Sequence, residues 1–189
     1  MKDYFFMKKK YLVLVNKQNK LDDNYIPSDL IKLKKEYSSK DIYLKKVVKN
    51  SFEKMARDAI KLNLVLIAVS GYRSSKYQEL LFNKYVKEKG YKYANMCSAK
   101  KGYSEHQTGL AVDIANKTLD YDNFENTEEF KWVKDNAHKY GFILRYPKNK
   151  TNITGYKYEP WHFRYVDKNI AKYIYINNIT LEEYIKSKD

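Results

Sequence analysis

At 189 residues, with 43% hydrophobic and 32% charged residues but only 6 Gly and 3 Pro, the chain has the make-up of one globular domain and excludes a disordered or collagen-like one. Its single cysteine, Cys97, excludes an internal disulfide and reads as a loop thiol, and no apolar run reaches the roughly 18 residues of a membrane span. The 37 basic against 23 acidic residues leave a formal charge of +14, yet the lysines are spread along the whole chain, which suits a solvated surface and argues against a nucleic-acid partner.

Tyr11 to Val15 reads as a short strand, and is too short for the apolar core of a secretory signal. The chain as given is therefore expected to be cytoplasmic, or extracytoplasmic where an export segment has been removed. Asn16 to Asp29, rich in Asn, Asp and Lys and containing Pro27, reads as an irregular arm around the domain. Val48, Phe52, Met55, Ala59 and Leu62 recur at steps of three and four, which predicts a helix over Lys45 to Leu62 with one buried face. Leu64 to Val69 reads as a buried strand. A second helix is predicted over Ser75 to Lys89, with Tyr77, Leu81 and Tyr85 on one stripe and Gly90 as its stop, followed by a loop through Gly102.

Leu110, Val112 and Ile114 alternate with Ala111, Asp113 and Ala115, a strand that turns its larger side chains into the core and leaves Asp113 on the other face between small neighbours. Asn126 with Glu129 resembles a capping box before a helical stripe of Phe130, Val133, Ala137 and Tyr140 that Gly141 ends. Phe142 to Tyr146 and Trp161 to Val166 read as an antiparallel strand pair, and Thr180 with Glu183 caps a short last helix. Helices and strands do not alternate regularly, so the expected class is α+β, with a small central antiparallel sheet flanked by helices. One domain over residues 1–189 is expected, residues 1–30 being the arm and 31–189 the core, as a monomer or weak dimer.

Only three histidines occur, and two of them stand in charged company: Ser104-Glu105-His106 followed by Gly109 and Asp113, and Glu159-Pro160-Trp161-His162. A catalytic zinc takes three imidazole or carboxylate ligands and leaves one position open, which His106, Asp113 and His162 satisfy, with Glu159 left for proton transfer. Glu159 and His162 would face opposite ways on an unbroken strand; Pro160 breaks it and lets a turn aim both at one site. Gly109 is expected to let the His106 loop pack close to the Asp113 strand. Arg73, at the end of a strand where the chain turns into a helix, is the candidate for holding a developing oxyanion or a carboxylate. His138, near Tyr140 on a helical stripe, reads as structural.

Three ordered motifs, Ser70-Gly71-Tyr72-Arg73-Ser74 with Gln78, Ser104-Glu105-His106-Gln107-Thr108-Gly109-Leu110-Ala111-Val112-Asp113, and Glu159-Pro160-Trp161-His162-Phe163-Arg164-Tyr165, resemble the VanY-type D-alanyl-D-alanine carboxypeptidases. The resemblance spans about Tyr11 to Val166. It implies a small α+β fold around an antiparallel sheet, one catalytic Zn2+ on His106, Asp113 and His162, Glu159 as the catalytic carboxylate and Arg73 as the group that stabilises the reacting carbonyl. It further implies substrate-binding roles for Gln78, Ser104, Trp161, Ser70 and Tyr72. Tyr140 to Pro147 with Ile153-Thr154-Gly155 looks most like the VanXY subgroup of vancomycin resistance, whose members cleave both the D-Ala-D-Ala dipeptide and peptidoglycan precursor peptides. Ser70 stands where some of that subgroup carry an acidic residue, which leans the expectation toward a D,D-carboxypeptidase over a dipeptidase. An L,D-carboxypeptidase or a peptidoglycan endopeptidase with the same zinc ligands, and a basic cell-wall-binding module, are the alternatives.

Overall fold

The computed structural model describes residues 10–121 and 123–188; the first nine residues of the expected arm, with Asp122 and Asp189, lie outside it. The expected strand at Tyr11 to Val15 is not formed. The Tyr11 and Val13 carbonyls instead accept hydrogen bonds from Arg164 Nη2 at 3.0 and 2.9 Å, so a buried guanidinium takes the place of a neighbouring strand. The arm that follows is irregular as expected, and Gln107 Nε2 fastens it by donating to the carbonyls of Asp22 and Tyr25.

The sequence reading missed a hairpin of short strands, β1 (Leu30–Lys32) and β2 (Tyr43–Lys45), paired antiparallel ahead of helix α1 (Lys46–Ile60). Val48, Phe52, Met55 and Ala59 of α1 are buried, but the helix ends before Leu62, which is exposed. Next come β3 (Ile67–Ser70), α2 (Ser75–Lys89) capped by the Ser74 hydroxyl, and α3 (Tyr91–Cys97), a helix where a loop was expected. The stripe read on α2 faces a cleft and not the core. Its buried residues are Ser75, Gln78 and Phe82, whereas Tyr77, Leu81 and Tyr85 line a cleft.

After β4 (Ala111–Ala115), helix α4 (Glu128–Asn136) is capped by Thr127, whose hydroxyl accepts from Phe130 N, and not by Asn126. Asn126 ends a short 3-10 turn, and Glu129 Oε1 reaches away to Val65 N. Strand β5 (Phe142–Leu144), a single turn α5 (Thr151–Thr154), β6 (His162–Tyr165), α6 (Lys168–Asn177) and α7 (Leu181–Lys186) complete the chain, α7 carrying the full Thr180–Glu183 capping box. Both members of the expected strand pair are shorter than read, and α6 was not foreseen.

Strands β3, β4, β6 and β5 form one sheet in that order, antiparallel throughout. The α+β expectation, with a small antiparallel sheet among helices, holds. Directly opposed residues of an antiparallel pair project to the same face. Asp113 stands opposite His162 on one side and Ser70 on the other, so the ladder itself sets three polar residues in a row. Val112, Ile114 and Phe163 join Phe52 and Met55 in the main core, all wholly buried, and each contributes roughly 1.5–3 kcal/mol by leaving water. A second cluster packs Ile170, Ala171, Ile174 and Leu181 against Ile143.

Candidate active site

His106 lies in a 3-10 turn, Glu105–Thr108, that the Ser104 hydroxyl caps and that delivers the chain into β4. Its ring is oriented by a carbonyl: Nδ1 donates to Gly71 O at 2.6 Å, which leaves Nε2 bare and directed toward Asp113 Oδ2, 3.3 Å away. Gly71 is held to glycine by space, since a Cβ there would lie 2.6 Å from Ile42 Cγ2 and 2.7 Å from Tyr43 O. Gly109 is in the left-handed region at φ +68, but its crowding neighbours are Leu30 and Lys45 of the hairpin; the close approach is to β1 and β2, not to the Asp113 strand as expected.

His162 begins β6 and presents Nδ1 to Asp113 Oδ1 at 3.1 Å, with Glu159 Oε2 at 3.6 Å from the same nitrogen. Pro160 and Trp161 form the turn between the two, and the Glu159 amide is anchored on Tyr146 O. One donor atom from each of His106, Asp113 and His162 falls within 4.8 Å of the others. His106 Nε2 and Asp113 Oδ1 are buried with no hydrogen-bond partner among the described residues. Neighbouring donors on a tetrahedral ion with bonds of about 2.0–2.2 Å stand about 3.3–3.6 Å apart, close to the 3.3 Å from His106 Nε2 to Asp113 Oδ2 and the 3.1 Å from His162 Nδ1 to the other carboxylate oxygen, Oδ1. The donor set therefore fits a divalent metal.

Electrostatics agree with that fit. Burial, with the nearby Arg73 cation, pushes His106 down to about 4, so it is neutral and available as a ligand. Burial works against charge on His162 too, but Asp113 and Glu105 override it and hold that ring up at about 9. The protein alone thus draws a positive charge to the point where a metal would supply one. Burial pushes the Glu159 carboxyl up to about 7, Asp113 adding to it and His162 and Arg73 opposing. A carboxyl with that titration exchanges protons near neutrality, as a general base requires.

The sequence reading assigned no role to Glu105, Arg145 or Arg164, which form the buried support of the site. Burial opposes ionisation of Glu105, yet Arg145 and Arg164 hold it well below the usual carboxylate range. Its Oε1 accepts from Arg145 Nε at 2.8 Å and Arg164 Nη1 at 2.7 Å, while Oε2 lies 3.5 Å from His162 Nε2. Arg145 passes the charge on through a two-pronged pair with Glu182 of α7. Two arginines and two glutamates balance, as buried charges must. The only signal in sequence was the presence of Arg145 and Arg164 within otherwise apolar strand runs.

All ten site residues named from sequence border one cleft of about 510 Å³: His106, Asp113, His162, Glu159, Arg73, Ser70, Tyr72, Gln78, Ser104 and Trp161. Arg73 is tied to the site by its amide on His106 O, and its Nε is buried and unpartnered. Gln78 Nε2 donates to Ser98 Oγ and Ala99 O, which leaves Oε1 bare. Trp161 packs edge-on to Tyr121 at 5.3 Å. Cys97, expected in a loop, ends α3 and borders the cleft. His138 lies apart, stacked on Tyr175.

The model of the VanY family, described as D-alanyl-D-alanine carboxypeptidase, matches residues 41–168, well over half the chain. The chain belongs to the VanY family. YodJ of Bacillus subtilis (strain 168), assigned as a carboxypeptidase, is 47% identical over 182 residues, covering 93% of this chain and 67% of that protein. The bifunctional D-Ala-D-Ala dipeptidase and carboxypeptidase VanXYC of Enterococcus gallinarum is 38% identical over 178 residues and 92% of each chain. Among solved structures, the LD-carboxypeptidase LdcB superposes with a TM-score of 0.87 at 46% identity, over 95% of this chain and 87% of that one. A mutant of the vancomycin-resistance D,D-pentapeptidase VanY, in complex with Zn(II), superposes with 0.82 at 33% identity, over 93% and 99%. This VanY-family chain is thus a member of a peptidase family. No helix among its described residues is long and apolar enough to cross a membrane.

Proposed function

We propose that this protein is a zinc-dependent D,D-carboxypeptidase that removes the C-terminal D-Ala from peptidoglycan precursor peptides ending in D-Ala-D-Ala. The observation that carries the reading is the convergence of His106 Nε2, the Asp113 carboxylate and His162 Nδ1 beside Glu159 in one cleft. His106, Asp113 and His162 would hold the ion, which when bound supplies a Lewis-acid charge that polarises water and the scissile carbonyl.

The chain's own residues account for the rest. Glu159, buried and titrating near neutrality, takes the proton from the attacking water and returns it to the leaving amine, so that no net proton is gained or lost. Arg73, with an unpartnered buried Nε, pairs with negative charge on the substrate, on the reacting oxygen or the terminal carboxylate. On the cleft wall the Ser104 hydroxyl can donate to the terminal carboxylate of the peptide, Gln78 Oε1 can accept from one of its N–H groups, and Trp161 forms its aromatic side. Tyr72 and Ser70 line the same wall. Ser70, next to Asp113 in the ladder, offers a neutral hydroxyl where a free dipeptide's ammonium group would want a carboxylate, which supports carboxypeptidase over dipeptidase action.

The likeness to LdcB supports a second reading, an L,D-carboxypeptidase acting on a tetrapeptide stem. One assay separates them. The zinc-loaded protein is given D-Ala-D-Ala, a muramyl pentapeptide and the matching tetrapeptide, and released D-Ala is measured. Release from the pentapeptide well above the dipeptide, and none from the tetrapeptide, is expected; release from the tetrapeptide alone favours the second reading, and release from none ends both.

A further inference from the structure

Past Ser98 and Tyr156 the cleft adjoins a second cavity of about 270 Å³ that shares those two residues with it. Lys17 and Lys100 face this cavity, and no acidic residue among the described residues lines it. The acids nearby in the chain are taken by other lysines: Lys20 pairs with Asp23, and Lys101 with Asp23 and Glu79. Lys17 and Lys100 instead lie over the rings of Tyr156 and Tyr91, at 4.8 and 5.3 Å. Burial lowers the Lys17 titration; Cys97 and Tyr91 oppose that shift, and the Lys100 charge adds to it. Tyr156 is 4% exposed, and its hydroxyl has no hydrogen-bond partner among the described residues. Two cations that repel one another across a space without a counter-charge, beside a buried phenol left unsatisfied, describe a pocket arranged for an anion.

Its position fixes where on a substrate that anion would sit. The Tyr156 ring is 5.0 Å from that of Tyr146, which is 4.9 Å from His162. The cavity therefore begins within about three extended residues of the metal-binding group, at about 3.3–3.6 Å per residue.

We propose that this second cavity is a subsite for a carboxylate carried two or three residues to the amino-terminal side of the scissile bond, with Lys17 and Lys100 as counter-charges and the Tyr156 hydroxyl as donor. The subsite rests on the peptidase reading of the cleft and names the part of the substrate that reading leaves open. The test compares KM of the zinc-loaded protein for L-Ala-γ-D-Glu-L-Lys-D-Ala-D-Ala and for the same peptide with the glutamate carboxylate amidated. A KM ratio of about ten in favour of the acid is expected, the size of one charge-assisted contact. The double variant Lys17→Met and Lys100→Met, which keeps both aliphatic stems, should bring the ratio to about one. Equal KM values in the wild type, or a ratio that survives in the variant, would overturn the subsite. Diacetyl-L-Lys-D-Ala-D-Ala, too short to reach the cavity, reports on the peptidase reading separately. If the wild type does not cleave it, calorimetry with L-Ala-γ-D-Glu-L-Lys and its amidated form decides: tighter binding of the acid that the double variant loses supports the subsite, and equal binding rejects it.

Discussion

Glu105 Oε2 stands 3.5 Å from His162 Nε2, on the far side of the ring from Asp113, which faces Nδ1 at 3.1 Å. A carboxylate behind an imidazole fixes which nitrogen is protonated and which is bare. Replacing Glu105 by Gln is expected to weaken zinc binding about 10–100-fold, measured by competition with a chromophoric chelator. It also leaves Arg145 and Arg164 short of a counter-charge, at a cost of about 3–5 kcal/mol seen in denaturant unfolding. Wild-type zinc affinity in the Gln variant would show that Glu105 does not orient His162.

The same carboxylate makes a statement about acid stability. Glu105 is held below its ordinary 4.5 in the folded protein, although burial alone would raise it. A group depressed on folding contributes stability that is fully present above its unfolded titration and is lost as pH falls through the folded one. The metal-free wild type should therefore lose Tm steeply below about pH 4.5, and the Gln variant, less stable at neutrality, should lose less over that range. Parallel Tm curves for the two would contradict the assignment.

Glu159→Gln should lose about 10²–10⁴ in kcat and keep its zinc, because the amide cannot accept the proton from water while the three ligand side chains are untouched. Metal analysis alongside single-turnover hydrolysis checks this. A variant that retains most of its activity would remove Glu159 from the reaction.

The pH profile follows from the same residue. Glu159 acts as a base only when ionised, so kcat/KM falls as pH drops through its titration, which burial sets at about 7 in the metal-free protein. A bound divalent cation favours the carboxylate, so the acid limb of the zinc-loaded protein is expected below that value, and it should vanish in Glu159→Gln. A limb that persists in the variant points to another group.

Arg73→Ala should lower kcat/KM about 10²–10³-fold, the effect of removing one donor from a developing anion. Lys should rescue only part of this loss, because an ammonium lacks the two-pronged geometry of guanidinium. Full rescue by Lys would reduce Arg73 to a simple positive charge.

The metal group was legible in sequence for physical reasons that can be named. Histidine is scarce here, and Asp113 interrupts an apolar alternation whose period puts it on the face away from Val112 and Ile114. The support behind the group was hidden, because a charged residue in a strand reads as a solvent-facing one, whereas Arg145 and Arg164 are wholly buried. Tyr77, Leu81 and Tyr85 gave a true helical stripe; periodicity marks a face as apolar without saying whether it meets a core or a cleft. At α4 two capping residues stood in adjacent positions, and Thr127 won because the Phe124–Asn126 turn had already used Asn126. Tyr11 to Val15 has strand composition but satisfies Arg164 instead of a ladder, a partner 151 residues distant from Val13 that no local pattern reveals.

Anomalous diffraction at the zinc edge from zinc-soaked crystals addresses the metal centre without reference to any substrate. One peak bonded to His106 Nε2, an Asp113 oxygen and His162 Nδ1, with Glu159 beside it and unbound, is the expected result. A peak coordinated through His162 Nε2, a peak elsewhere, or none would contradict the centre on which the proposed chemistry depends.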